Sequence, residues 1–189
     1  MQSKRIFIVV VSLLSLLSCK KEQNTQAENE LAKLPAITQT GANTFGCLVN
    51  GNAVVSNNLS CSYEQTAQLA SGNYFDFTLI ATDSISASKQ TISFYIPGMP
   101  QIKNNSSYDL NAAANAIDRW YADYNDAPTG GVVNDYQTTL GSSSGVISFS
   151  KIDTVNKVLS GTFSFVGVDS DNQTVPVTSG RFDVHYSSN

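Results

Sequence analysis

The side chain with the clearest chemistry lies near the amino terminus. Leu16-Leu17-Ser18-Cys19 closes a 12-residue apolar run, Ile6 to Leu17, that follows Lys4 and Arg5. A basic start, a short apolar core and a small residue before a cysteine make up a bacterial lipoprotein signal. Its chemistry is thioether formation: the Cys19 thiol takes a diacylglyceryl group, and cleavage after Ser18 leaves Cys19 first in the mature chain. The run is shorter than the roughly 20 apolar residues that cross a bilayer as a helix. A cleaved signal over residues 1–18 is therefore expected, the alternative being a plain secretory signal with an incidental cysteine. One acyl chain holds a protein only marginally, whereas two or three hold it durably. The expected location is the outer membrane, lipid-anchored, at its periplasmic face or at the cell surface.

Other constellations are weaker. Gly141-Ser142-Ser143-Ser144-Gly145 matches G-x-S-x-G, with Asp residues and His185 following in hydrolase order. That motif requires a strand-to-helix elbow holding a strained serine, whereas here a Ser/Gly linker enters a strand. Ser143 is therefore not expected to be a nucleophile, no catalytic residue is assigned, and a non-enzymatic protein is expected. His185 is the single histidine and sits on the polar parity of the last strand. One histidine cannot build a His-rich metal site. Asp169, Asp171 and Asn172 resemble a calcium loop but lack its glycine and closing glutamate, so a β-turn is expected. Asp118, Asp123, Asp126 and Asp135 are oxygen donors without fixed spacing. No metal or cofactor is assigned. Trp120, Tyr121 and Tyr124, with Tyr136, could form a flat platform on which sugar rings stack. The competing reading is core packing, which large aromatics dominate.

Lipidation of Cys19 leaves Cys47 and Cys61, an even pair in an oxidising compartment. Phe45, Cys47 and Val49 alternate onto one strand face, and Leu59, Cys61 and Tyr63 onto another. Both thiols should point inward, either as a disulfide worth about 3 kcal/mol for so short a loop or as two free thiols packed as small apolar groups.

These residues must be positioned by what lies between them. Removing Lys4 and Arg5 from the chain's 11 basic residues leaves 9 against 15 acidic ones, a net charge of −6. An acidic protein is repelled by nucleic acid, so the membrane reached through the lipid, a glycan or an envelope protein are the partners considered. Residues 19–38 read as a lipidated polar tether, of which Leu31, Leu34 and Pro35 already have the character to dock. Residues 39–189 are long enough for one domain with its own core, and oligomeric state is left open.

Period-2 alternation recurs through that domain. Phe75, Phe77 and Leu79 alternate with Asp76 and Thr78; Ile92, Phe94 and Ile96 with Ser93 and Tyr95; Ile147 and Phe149 with Ser148 and Ser150. Phe163 and Phe165, then Phe182, Val184 and Tyr186, continue the pattern. Asn50-Gly51 is the preferred two-residue hairpin turn. Asp153-Thr154-Val155-Asn156 and Asp169-Ser170-Asp171-Asn172 close two later hairpins. Val175 and Val177 differ in parity from Phe182 and Val184, which requires a face switch, placed at Ser179-Gly180 as a bulge. Residues 108–126 suggest a short helix or turn followed by an edge strand through Trp120 to Tyr124. The expected fold is all-β: an antiparallel β-sandwich with a C-terminal meander, the alternative being a β-barrel.

Three segments together resemble an uncharacterised family of Bacteroidota lipoproteins, a domain of unknown function. They are Thr40-Gly41-Ala42-Asn43-Thr44-Phe45-Gly46-Cys47-Leu48-Val49-Asn50-Gly51 after Leu34-Pro35, then Ser160-Gly161-Thr162-Phe163-Ser164-Phe165, then Thr178-Ser179-Gly180-Arg181-Phe182-Asp183-Val184. The resemblance implies an envelope lipoprotein and carries no established activity or site residues. Family members tend to have an aromatic soon after the Asn-Gly turn, where this chain has Ala53-Val54-Val55. Lys20-Lys21-Glu22 resembles the charged signal that sends some such lipoproteins to the cell surface. Asp83-Ser84-Ile85 and Asp153-Thr154-Val155 resemble the tripeptide that some Bacteroidota O-glycosylate after export. Arg181 and Asp183 share the outward face of their strand and are expected to pair with neighbours there.

Overall fold

The alternating segments become strands. In chain order they are β1 (Thr44–Val49), β2 (Asn52–Ser56), β3 (Asn58–Leu69), β4 (Gly72–Ile85), β5 (Ser88–Pro100), β6 (Ser106–Asp109), β7 (Tyr121–Pro128), β8 (Asn134–Gln137), β9 (Ser144–Asp153), β10 (Val158–Val168) and β11 (Thr174–His185). A short helix, α1, covers residues 25–32. The computed structural model describes residues 25–69, 72–85, 88–110, 120–139 and 144–188. The strands form one sheet in the order β2-β1-β11-β10-β8-β7-β5-β4-β3, with β9 beside β10 and β6 beside β9. Every paired strand is antiparallel.

This sheet curls into a half-barrel. The all-β antiparallel class read from the alternation is the one found, and the two facing layers are halves of one continuous sheet. Ring contacts across the core show which strands oppose each other. Phe94 of β5 meets Phe163 of β10 edge-on at 4.8 Å, and Phe163 stacks on Phe45 of β1 at 5.2 Å. Phe77 of β4 meets Phe149 of β9 at 5.2 Å. Phe45, Phe77, Phe94 and Phe149 are fully buried, and burial of such a side chain contributes about 2–3 kcal/mol.

Bulges and tight turns shape the curl. Phe163 pairs with Gly180 but Phe165 with Val177, so β11 holds one extra residue. Ser179 occupies it with φ 54°. The parity conflict between Val177 and Phe182 is resolved where the sequence requires it. The Asn50-Gly51 turn has φ 48° and 79°, both positive as a type I′ turn demands. Asp76 sits between two further irregularities and bonds both strands: its Oδ1 accepts from Gly98 N on β5 at 2.8 Å and from Thr66 Oγ1 on β3 at 3.2 Å. The end of the chain then covers an edge. Tyr63 N donates to Ser187 O at 3.0 Å and Ser187 N to Cys61 O at 2.9 Å. This bridge satisfies part of edge strand β3, which would otherwise offer unpaired backbone to a second chain.

Two expectations need correction. The strand through Trp120 to Tyr124 is not an edge: β7 lies between β5 and β8. The chain turns back after Gly130-Gly131, and the four-residue β8, too short to show an alternation, covers its open side. Nor is the polar segment free as far as residue 38. Ala27, Glu28, Glu30, Leu31 and Ala32 are good helix formers, and they build α1 against the domain. Glu30 Oε2 accepts from Ala53 N on β2 at 2.9 Å. Leu34 is buried, and Pro35 lies against Gly46, where an added Cβ would come within 2.6 Å of Pro35 Cδ. Residues 1–24 lie outside the described residues, Cys19 among them. Among the described residues no helix is long and apolar enough to cross a membrane.

Candidate functional site

Because Phe94 and Ala122 point into the core, their neighbours Tyr95 and Tyr121 point out. The β5–β7 register sets Tyr95 opposite Tyr121, Ser93 opposite Asp123 and Thr91 opposite Asn125. The β7–β8 register continues the rows, with Gln137 opposite Asp123 and Asp135 opposite Asn125. The two tyrosine rings lie 5.8 Å apart, tilted by 52°, and Tyr95 is 41% exposed. Asn125 Nδ2 donates to Asp123 Oδ1 at 3.2 Å, and Gln137 Nε2 to Asp135 Oδ2 at 2.7 Å. One open face thus carries two phenol rings, two carboxylates and two carboxamides. Burial pushes the Asp123 carboxyl up to about 6; hydrogen bonds from Ser93 and Asn125 oppose this, and the Asp135 charge adds to it. Burial, then the nearby charges of Asp123 and Asp135, also raise the Tyr121 hydroxyl. Rings that stack, beside planar groups that accept and donate hydrogen bonds in pairs, suit a hydroxyl-rich ligand.

Of the two readings of Trp120, Tyr121 and Tyr124, core packing describes Trp120 and Tyr124, and the three do not form one flat platform because adjacent strand residues face opposite ways. The Trp120 ring packs edge-on to Tyr108 at 5.7 Å, and its Nε1 donates to Pro97 O at 3.0 Å. Tyr124 is 4% exposed and stacks on Tyr136 at 6.1 Å. Of the three, only Tyr121 faces solvent, and its partner is Tyr95. The available signal was a tyrosine at 95 on the wet parity of an otherwise Ser/Thr strand face.

The acidic residues separate in the same way. Asp123 and Asp135 come together, Asp126 accepts from Ser88 Oγ, and Asp118 lies outside the described residues. Among the described residues no group of three or more His, Cys, Asp or Glu side chains could hold a metal ion. Asp169 Oδ1 accepts from Asp171 N at 2.9 Å and from Gln173 N at 2.7 Å, the turn role expected for it. Asp153 Oδ1 likewise accepts from Val155 N and Asn156 N, leaving Thr154 exposed in the turn. The side chains of Ser84 and Ile85 lie outside the described residues. So does Ser143, but its neighbour Ser144 pairs with Val166 while His185 pairs with Val158. At about 3.3 Å per residue these ends of β10 are about 26 Å apart, so a Ser143–His185 pair finds no support. His185 is exposed, with Nδ1 at 3.2 Å from Asn156 O.

Cys47 and Cys61 both point inward as expected, but they are free thiols rather than a disulfide. Cys47 on β1 pairs with Val54 of β2, whereas Cys61 on β3 pairs with Leu79 of β4. Cys47 lies near Tyr124 and Cys61 near Tyr186. Burial pushes both thiols up to about 12, which keeps them protonated and unreactive.

Asp183 is the polar feature least visible in the sequence. It lies on the outward parity of β11 yet is 1% exposed, because residues 38–42 cover it. Oδ2 accepts from Thr38 Oγ1 at 2.7 Å, Thr40 N at 2.9 Å and Ala42 N at 3.1 Å. Oδ1 accepts from Gly41 N at 2.9 Å and Ser160 Oγ at 2.7 Å. Gly41 has φ 75°, which lets successive amides converge on one carboxylate. Burial alone would raise this carboxyl; the hydrogen bonds from Thr38, Ser160, Thr40 and Ala42 outweigh it and hold the group well below the usual range. Arg181 does not pair with it, and Nη1 instead donates to Pro35 O at 3.3 Å. The cage is closed and fully donated, so it serves as a clasp for the incoming chain rather than as a ligand site.

The geometry defines an antiparallel half-barrel with an aromatic and acidic outer face and, among its described residues, no group of His, Cys, Asp or Glu side chains that could hold a metal ion. The chain belongs to an uncharacterised family defined by a domain of unknown function, DUF6252, which spans residues 65–184. That span includes two of the three segments noted in the sequence, the Ser160–Phe165 and Thr178–Val184 runs. No curated protein and no solved structure matches the chain.

Proposed function

We propose that this protein is a lipid-anchored envelope lipoprotein of the Bacteroidota type whose half-barrel binds a ligand without transforming it. The address rests on Leu16-Leu17-Ser18-Cys19, and the charged Lys20-Lys21-Glu22 supports the surface-exposed face of the outer membrane over the periplasmic one. The observation that carries the binding reading is the outer face of β5, β7 and β8, where Tyr95 and Tyr121 stand beside Asp123, Asn125, Asp135 and Gln137. A neutral glycan is the ligand favoured: its hydroxyls match the carboxylates and carboxamides, and the apolar faces of its rings match the phenols.

Two experiments test this reading. Incorporation of labelled palmitate by the wild type but not by Cys19→Ala is the expected sign of the anchor; equal labelling of both sinks it. A panel of envelope and dietary polysaccharides titrated calorimetrically should reveal a binder. Its affinity should drop about tenfold in Tyr95→Ala, corresponding to roughly 1.4 kcal/mol from one stacked ring. Binding that is indifferent to Tyr95 and Tyr121 would remove this face from the proposal, and measurable turnover of the glycan would overturn the non-enzymatic reading.

A further inference from the structure

The docking of α1 has a geometric result for an anchored molecule. If Cys19 carries the lipid, as proposed above, only the residue steps from Cys19 to Thr25 separate the anchor from the described domain. Six residue steps at no more than about 3.5 Å each reach about 20 Å. A domain of about 150 residues has a radius of gyration near 15 Å, so its diameter is about 38 Å. The leash is shorter than the body it holds. The half-barrel cannot turn its far side to the bilayer, because the chain would have to run around half its circumference.

We infer that the face built by α1, residues 33–37 and the outer surface of β10 and β11 rests on the phospholipid bilayer that the anchor enters, and that the Tyr95 face points away. Two observations support this orientation. The segment after α1 is fastened at several points: Glu30 to Ala53 N, Pro35 O to Arg181, and residues 38–42 to Asp183. It therefore moves with the domain instead of lengthening the leash. Leu31 and Ile37 on this segment are 43% and 61% exposed. Apolar side chains flanked by Lys and Arg are the composition of a surface that settles into a lipid headgroup layer.

The two faces are opposed because the core lies between them. Phe94 and Phe163 touch inside the half-barrel, so the outer sides of β5 and β10 look in opposite directions. The glycan face is then displayed outward from the membrane.

The test uses the full lipidated protein reconstituted in vesicles of phosphatidylethanolamine and phosphatidylglycerol. Cys47 and Cys61 are buried and protonated, and Cys19 is blocked, so a single added cysteine takes a fluorophore selectively. Labels are placed by Ile37→Cys and, separately, by Tyr95→Cys, with nitroxide-headgroup lipids as quenchers. The expected result is quenching at position 37 at least threefold stronger than at position 95. Equal quenching, or stronger quenching at 95, in protein that sediments with the vesicles overturns the orientation and leaves the anchor standing. Protein that carries no lipid and fails to sediment overturns both. A third label by Val132→Cys, in the exposed β7–β8 loop, guards against a local effect at Tyr95. It should follow position 95, and if it is quenched like position 37 the orientation is wrong.

Discussion

Replacing Asp183 by Asn removes the charge from the clasp while keeping its shape, and the arrangement of donors sets the cost. The new carboxamide must place its NH₂ group on one side of the cage. Facing Thr40 N and Ala42 N, it meets two fixed backbone donors; facing Gly41 N and Ser160 Oγ, it meets one fixed donor and a hydroxyl that can rotate to accept. The second arrangement is cheaper. It loses a charge-assisted bond and strands one buried amide, each worth about 1.5–3 kcal/mol, so a net destabilisation of about 3 kcal/mol is expected at pH 7. With a urea m value of about 2 kcal/mol/M, the unfolding midpoint falls by about 1.5 M, readable from Trp120 fluorescence. The pH dependence is the sharper measurement. The folded carboxyl lies below its unfolded value, so the stability it contributes is fully present above about pH 5 and is lost as pH falls below about 4. The gap between wild type and Asp183→Asn should be constant from pH 5 to 7 and shrink steadily below pH 4. A midpoint shift under 0.5 M, or a gap unchanged down to pH 3, would refute the claim that an ionised, caged carboxylate holds residues 38–42 in place; both thresholds lie well outside about 10–15% extrapolation error.

Asp123 has the opposite sign. Its folded value of about 6 lies above the ordinary 3.8, so the native state loses relative stability as pH rises from about 4 through 6. Asp123→Asn should therefore gain up to about 3 kcal/mol at pH 7 and nothing below pH 4, as urea titrations across that range will show. Gly161→Ala places a Cβ 2.1 Å from Ser148 O and 2.7 Å from the Phe182 ring. Overpacking against backbone should cost about 3 kcal/mol and lower Tm by about 10 °C in calorimetry. Iodoacetamide should label neither Cys47 nor Cys61 in the native protein and both after denaturation without reductant. Mass spectrometry that finds the pair unlabelled in denatured, unreduced protein restores the disulfide.

Local features were legible from sequence and distant ones were not. The Asn50-Gly51 turn, the Asp153 and Asp169 turns and the bulge at Ser179-Gly180 depend on neighbouring residues, and the chain states them directly. Strand β8, with four residues, is too short to carry an alternation, and its absence from the sequence reading turned β7 into an edge. The outward aromatic pair was hidden for a related reason: Trp120, Tyr121 and Tyr124 are near in sequence but face different ways, whereas Tyr95 and Tyr121 meet only through the β5–β7 register. The clasp was hidden by range. Thr38 and Asp183 stand 145 positions apart, and Asp183 has the outward parity that ordinarily means solvent.

The position of β11 also bears on how the molecule comes into being. Strand β11, which follows the other ten described strands in the chain, lies inside the sheet between β1 and β10. Until residues 174–187 are available, β1 has only β2 beside it, the clasp has no carboxylate, and the β3 edge has no Ser187 to cover it. Such long-range closure is slow to nucleate, because loop entropy must be overcome before the pairing stabilises the chain. A chain that lacks β11 is therefore held open by its own topology. Completion of the sheet is timed by the arrival of its carboxyl-terminal residues.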